Sequence, residues 1–348
     1  MSPRLALVTL AVGQPMGQQV YEHELADRAP AELGAGWRVD QLTVRTLRSP
    51  LPGTVRLPSR VMATSSPVVR RSVAAIVYRG HDVVHRMDLR LPPARHPEVL
   101  TVHDVVSWRF PDEAMPPSDA ADSARRAVAV VCPSQFSADE VSSQLGVSTC
   151  VAIPNGVHPA FFDTAPLARE RLADLGVREP FVLHAGGCTQ RKNLAGLAGA
   201  WPKVRSVHGD VTLVMMGPPD PRRNALFDPL DGTHLIGRVD DDTARGLMAA
   251  SSAVVVPSVY EGFGLPALEG MAVGVPVVAA RRSSLPEVCG DGAYLVEPDP
   301  DGLAEGLVAA LDGGPDTGAM VVRARQRASS FSWAASVAAH ATFWRAST

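Results

Sequence analysis

The chain is 348 residues long, 46% hydrophobic and 20% charged, with a formal net charge of −3 at pH 7. That length and apolar content suit two ordinary domains, each with its own core; the charge argues against general nucleic-acid binding, and no apolar run reaches the roughly 18 to 20 residues that cross a bilayer. Cys132, Cys150, Cys188 and Cys289 are scattered without metal-ligand spacing and read as reduced thiols of a cytoplasmic protein, while Lys192 and Lys203 are the only lysines among many arginines.

In chain order, Leu5 to Val12 reads as a first strand, since no small-residue cleavage pattern follows it as in a signal peptide. A loop, Gly13 to Gly17, leads into a helix reaching about Glu32. Trp37 to Val44, Asp82 to Met87, Glu98 to Val102, Val128 to Val131 and Val151 to Ile153 are the next predicted strands. Between them, Ser49 to Pro58 is a Pro-rich loop, Val61 to Tyr78 is helical with an interruption at Pro67, and Asp119 to Arg126 is a helix. Ser137 to Leu145 is another, capped by Ser137 with Glu140 three residues on. Pro154-Asn155-Gly156 reads as the interdomain linker. The second half repeats the alternation: strands at Phe181–Ala185, Val211–Met216, His234–Ile236, Ala253–Val256, Val277–Ala280 and Tyr294–Val296, with helices between and after them. This order predicts an α/β protein of two Rossmann-like, doubly wound domains facing a central cleft: residues 1–155, residues 156–331, and a final helix at about 332–348. Ligands of such sheets sit at the carboxyl ends of the strands. The dinucleotide fingerprint G-x-G-x-x-G is missing after the first strand, which disfavours an NAD enzyme.

The stretch from Ser252 to Glu287 carries the strongest signal. Its strand, Ala253 to Val256, is followed by the Gly-rich loop Tyr260-Glu261-Gly262-Phe263-Gly264, and a helix starts near Gly264 with Pro266 in its first turn. Unpaired N–H groups and the helix dipole make this an anion site. Glu261 and Glu269 flank it and, being repelled by phosphate, are better partners for hydroxyls; phosphate plus hydroxyls describes a nucleotide sugar. Arg191-Lys192-Asn193 follows a strand and the glycines Gly186 and Gly187, so its cations fit the charge that builds on a pyrophosphate leaving group. Thr101-Val102-His103-Asp104 ends a strand of the first half, where ligands bind.

Glu261 and Glu269 match the E-x7-E signature of retaining GT-B glycosyltransferases, and the surrounding text, through Gly274-Val275-Pro276 and Ser284-Leu285-Pro286-Glu287, resembles glycosyltransferase family 4. The resemblance implies transfer of a hexose from a nucleotide sugar, UDP- or GDP-linked, to a hydroxyl of a sugar, lipid-linked or small-molecule acceptor. It implies retention of anomeric configuration, no cofactor beyond the donor, and no metal. It assigns Lys192, with Arg191, to the diphosphate, Glu261 and the backbone at Phe263, Gly264 and Leu265 to the donor sugar, and Glu269 to the ribose. His103 contacts the donor sugar from the first domain, Asp104 orients it or binds acceptor, and Gly17, Gly186 and Gly187 belong to the loops near the phosphates. Gly187 stands where many members carry an arginine, and Gln18-Gln19 where a small residue is common. Those departures keep open a catalytically silent nucleotide-sugar or partner-binding protein, or a phosphorylase or epimerase on the same fold.

Other residues read as structural. Asp240-Asp241-Asp242, Asp299 and Asp301 suit helix caps, His81, His85 and His96 show no ligand spacing, and Ser134 and Ser137 form no nucleophile motif. Between Arg45 and Arg95 ten arginines face only Asp82 and Asp88. This basic segment suits an acidic acceptor, peripheral contact with the inner membrane face, or simply a solvated surface.

Overall fold

The computed structural model describes residues 2–13, 16–58, 65–95 and 97–348; the middle of the Gly13–Gly17 loop, Arg60, the expected helical start at Val61 and His96 lie outside them. The chain divides into two compact units, one of residues 1–156 with 332–348, the other of residues 157–331.

The first unit contains β1 (Arg4–Leu10), α1 (Gly17–Leu33), β2 (Arg38–Thr46), β3 (Val55–Leu57), α2 (Pro67–Val77), β4 (Val83–Arg86), β5 (Glu98–Thr101), α3 (Val106–Arg109), α4 (Ala120–Arg126), β6 (Ala129–Cys132), α5 (Gln135–Leu145) and β7 (Cys150–Ala152). The strands pair in parallel in the order β3-β2-β1-β4-β5-β6-β7. Every residue of β4, β5 and β6 is buried, as expected for a sheet covered on both faces. Three details differ from the expectations. The Pro-rich loop contains the short edge strand β3. Pro67 begins α2 instead of interrupting a helix, with the Ser66 hydroxyl accepting from the Val69 N–H; its fixed φ suits a first turn. The cap of α5 is Ser134, whose Oγ accepts from the Ser137 N–H, not Ser137 itself.

Three of the ten arginines in the basic segment are tied to carboxylates, while Arg48, Arg56, Arg79 and Arg95 are exposed. Arg86 and Glu98 form a buried pair at 2.7 Å, Arg70 and Asp119 another at 2.9 Å, and Arg90 grips Asp88. Burying a charge is tolerable only with such a partner.

The second unit contains α6 (Arg169–Asp174), β8 (Phe181–Ala185), α7 (Leu194–Val207), β9 (Thr212–Met216), α8 (Pro221–Phe227), β10 (Thr233–Gly237), α9 (Asp241–Ala250), β11 (Ala253–Val256), α10 (Leu265–Val273), β12 (Val277–Ala280), α11 (Leu285–Cys289), β13 (Tyr294–Val296), α12 (Pro300–Asp312) and α13 (Pro315–Ser329). Its parallel sheet runs β10-β9-β8-β11-β12-β13. Alternate strand residues feed two cores. Phe181, Leu183, Val254 and Val256 pack with α10, α11 and α13, while Val182, Leu213 and Val255 pack with α7 and α12. Asp240 and Asp299 are caps, accepting from the N–H groups of Thr243 and of Asp301 and Gly302. The last helix, α14 (Trp333–Ala346), belongs to the first unit, where Trp333, Val337, Ala341 and Trp344 form a stripe against Leu5, Tyr21, Leu25 and Val99.

Among the described residues no helix is long and apolar enough to cross a membrane.

Candidate functional site

In the second unit, β8 and β11 are neighbours, paired Val182 to Ala253 and Leu183 to Val254, so the loops that leave their carboxyl ends emerge side by side. The loop after β8 passes Gly186 and Gly187, makes a single 3-10 turn at Gln190–Lys192 and ends at Asn193 with φ 51°. Asn193 fixes this turn, since its side-chain amide donates to the carbonyls of Pro257 and Pro298. The loop after β11 ends at Gly264, whose φ of 102° is open chiefly to glycine; a Cβ there would lie 2.7 Å from the Leu285 side chain. α10 starts at the next residue with Pro266 in its first turn, so its leading N–H groups face the same loop.

The convergence brings together three charged residues identified from sequence. Lys192 Nζ lies 2.7 Å from Glu261 Oε1, and Arg191 Nη1 lies 3.0 Å from Glu261 Oε2. Glu261 and Lys192 are 6% and 7% exposed. Burial works to raise the Glu261 pKa, but the charges of Lys192 and Arg191 outweigh it and hold the carboxyl down at about 2. The Val259 N–H donates to the Arg191 carbonyl, and the Glu261 N–H donates to Ser283 Oγ. The fully buried Ser284 hydroxyl bonds the carbonyls of Glu261 and Phe263. The cluster of one carboxylate and two cations carries one net positive charge at the end of a parallel sheet.

Glu269 sits one turn into α10. Its surface is partly open, yet protein atoms crowd its carboxyl closely enough that burial, with Asp241 nearby and Arg245 opposing, raises its pKa to about 7. It is therefore a carboxyl that both donates and accepts hydrogen bonds near neutral pH.

Sequence reasoning missed His184. It lies at the end of β8, 1% exposed, with Nδ1 3.2 Å from the Val255 carbonyl. Nδ1 must donate there, which leaves Nε2 as an acceptor; it is buried and has no hydrogen-bond partner among the described residues. Burial, with Arg223 and Lys192 also lowering it, holds its pKa at about 3. In Phe-Val-Leu-His-Ala the histidine is indistinguishable from a strand-filling residue. Arg223 on α8, likewise unanticipated, is buried with Nη1 on the Pro218 carbonyl and Nη2 on the Gly186 carbonyl. Gly217 next to it cannot carry a side chain, since a Cβ would lie 2.1 Å from the Gly186 oxygen.

The first unit holds the remaining candidates. His103 follows β5 with its ring edge-on to Tyr21 at 4.9 Å. Its Nε2 is buried without a hydrogen-bond partner among the described residues, and burial lowers its pKa to about 4. Beneath it runs a chain of buried polar groups with a single consistent direction. Trp344 Nε1–H donates to His85 Nδ1, so His85 Nε2 donates to Thr101. His340 Nδ1 donates to the Ser336 carbonyl, so its Nε2 accepts from the Tyr21 hydroxyl, which leaves the Thr101 hydroxyl to donate to Tyr21. Asp104 Oδ1 accepts from the Val106 N–H and starts α3. Gly17 is the exposed first residue of α1.

Among the described residues no group of three or more His, Cys, Asp or Glu side chains could hold a metal ion.

Residues 179–313, which contain Arg191, Lys192, Glu261 and Glu269, match the family model described as Glycosyl transferases group 1. The O-antigen chain mannosyltransferase B of Escherichia coli is 33% identical over 161 residues, covering 44% of this chain and 42% of that protein; the chain spans about half the length or less of the first curated relatives it matches. Among solved structures, sucrose-phosphate synthase from Thermosynechococcus elongatus aligns over 99% of this chain and 98% of its own at TM-score 0.78 and 21% identity. HepE of Anabaena in complex with UDP-glucose aligns over 99% of both chains at TM-score 0.74 and 18% identity. At those identities the structures establish the fold. The chain thus shares its fold with these solved structures, and residues 179–313 are similar to the group 1 glycosyl transferases.

Proposed function

We propose that this protein transfers a hexose from a nucleoside-diphosphate sugar to a hydroxyl acceptor with retention of configuration and without a metal. The observation that carries the reading is the Lys192–Glu261–Arg191 cluster at the mouth of α10. Its net positive charge and the helix N–H groups favour a diphosphate. As the bond from sugar to phosphate oxygen breaks, negative charge grows on the diphosphate, and cations already fixed by Glu261 stabilise it with little reorganisation. The acceptor oxygen bonds to the anomeric carbon, and its proton passes to the departing phosphate oxygen, so the products are the glycoside and the protonated nucleoside diphosphate.

In this reading Glu261 has two tasks: its carboxylate aligns Lys192 and Arg191, and a donor hydroxyl competes for one of its oxygens. Arg191 thereby supplies the second cation that Gly187 lacks. Glu269, its pKa raised by burial, suits the ribose hydroxyls, which can both donate to and accept from a carboxyl. His103, neutral because burial holds its pKa low, suits a hydrogen bond to a sugar hydroxyl and carries no charge to the reaction. The named activities of the mannosyltransferase relative and the UDP-glucose complex of the neighbour define a donor panel. Incubating the protein with UDP-, GDP-, ADP- and TDP-hexoses should give release of the matching nucleoside diphosphate with at least one donor, abolished by Glu261→Ala. Donor binding with neither transfer nor hydrolysis would establish the silent alternative instead.

A further inference from the structure

The first unit contains a cavity of about 270 Å³ between α1 and the carboxyl ends of β1 and β2, closed on one side by Leu51 and Pro52. It is slightly below the roughly 300–1,000 Å³ of sites for drug-sized ligands, so it suits a single ring. Six polar side chains line it: Thr9, Gln19, Glu22, His23, Gln41 and Thr43, of which His23 is engaged by Asp27 at 3.3 Å. They are incompletely used. The Thr9 and Thr43 hydroxyls are 3.4 Å apart, at the long limit of a hydrogen bond. Gln19 Oε1 accepts from the Met16 N–H, and Gln41 Nε2 donates to the Ala26 carbonyl, which leaves the Gln19 amide N–H₂ and the Gln41 carbonyl oxygen for another partner.

Glu22 decides the chemistry. It is 6% exposed, and one oxygen accepts from Gln18 Nε2 at 2.8 Å. Among the described residues its other oxygen has no hydrogen-bond donor. That second oxygen is not sealed off, so it offers an acceptor to water or to a ligand hydroxyl in the cavity. Asp88 stands close by, bound to Gln18 at 3.5 Å and neutralised by Arg90, so Glu22 is the lining's own acidic group and the lining holds no lysine or arginine. A phosphate or carboxylate would be repelled there. A hydroxyl, which both donates and accepts, satisfies Glu22 in either protonation state and matches the mixed donors and acceptors opposite. Apolar Leu10, Leu51 and Pro52 offer contact to the C–H face of a ring.

We propose that this pocket binds one uncharged, hydroxyl-bearing sugar ring. The proposal rests on the reading of the preceding subsection only in identifying that ring as part of the acceptor. It also turns acceptor preference away from the acidic class that the arginine-rich segment had suggested.

The test is binding of neutral hexoses and their uronic-acid and phosphate derivatives to the full chain, followed by calorimetry and by thermal shift. At least one neutral hexose should bind, and its charged derivative should bind at least tenfold more weakly. Glu22→Met and Thr9→Val, which keep side-chain volume, should each weaken the neutral hexose by about 3- to 10-fold, the effect of one hydrogen bond. The shift produced by a nucleoside diphosphate should stay unchanged in both, which reports separately on the donor reading. Equal or tighter binding of the acidic sugars, undiminished binding in both variants, or no neutral hexose bound at any concentration would overturn the proposal.

Discussion

Lys192→Ala tests the charge cluster most directly. The ammonium is 7% exposed and 2.7 Å from a carboxylate that is itself 6% exposed, so the substitution removes a charge-assisted hydrogen bond from a nearly dry site. Arg191 still holds the other oxygen of Glu261 at 3.0 Å, which spares the protein the full cost of a solitary buried charge, about 3–5 kcal/mol. The loss is then that of one hydrogen bond to a charged group, about 1.5–3 kcal/mol, or a fall in melting temperature of about 3 to 12 °C for a unit of this size. Catalysis should suffer more. The cluster goes from one net positive charge to neutral, and a preorganised group facing developing charge contributes a factor of about 10²–10³. Melting curves and donor-turnover assays on the same preparation separate the two effects. A Lys192→Ala protein that melts as expected and keeps turnover within about threefold of wild type would refute the argument that this cation stabilises the leaving group.

Two predictions concern pH. Glu269 is raised to about 7 in the folded state, so between about pH 4.5 and 7 the folded chain holds a proton that the unfolded chain has released, and stability falls as pH rises through that window. Glu269→Gln should therefore leave stability unchanged near pH 4.5 and raise it at pH 8 by at most about 3 kcal/mol, read as a higher melting temperature; a destabilised variant at pH 8 would contradict this. The buried histidines act in the opposite sense. His103 and His340 are lowered to about 4 and His184 to about 3, with burial the main cause in each, so they take up protons on unfolding below about pH 6.5, and the stability they confer is lost as pH falls from there toward 4. Glu22 and Glu269, both raised to about 7, oppose the rings over this range, but three histidines against two carboxyls still leave a net fall in wild-type melting temperature toward pH 4; a net rise would mean that these rings are already protonated or exposed in the folded chain.

Continuous apolar runs such as Ala253 to Val256 and Val277 to Ala280 announce strands buried on both faces, and both are strands with every residue buried. Gly264 and Pro266 likewise announce the start of α10. Less was legible where the deciding fact was a choice between similar neighbours. Ser134 and Ser137 are both good caps, and only the backbone path shows that Ser134 is used. Val55-Arg56-Leu57 is too short and too close to prolines to signal a strand, yet pairing with β2 makes it one. Arg70 and Arg86 of the basic segment looked free because their acidic partners, Asp119 and Glu98, lie outside it in sequence.

The charge cluster shows why pairing was the harder inference. Glu261 and Lys192 were identified separately, one with the transferred sugar and the other with the diphosphate, and nothing in either local sequence indicates that they touch. Their contact follows from strand order: a chain position 69 residues away becomes a neighbour because β11 lies beside β8. Once Val182 pairs with Ala253, the loops after the two strands leave the sheet together, and Asn193, bonded to the Pro257 carbonyl, fastens one to the other. Glu261 is then the nearest carboxylate to two cations in a site with little water. Its low pKa follows from that topology, and with it the permanent charge that keeps Lys192 and Arg191 aligned.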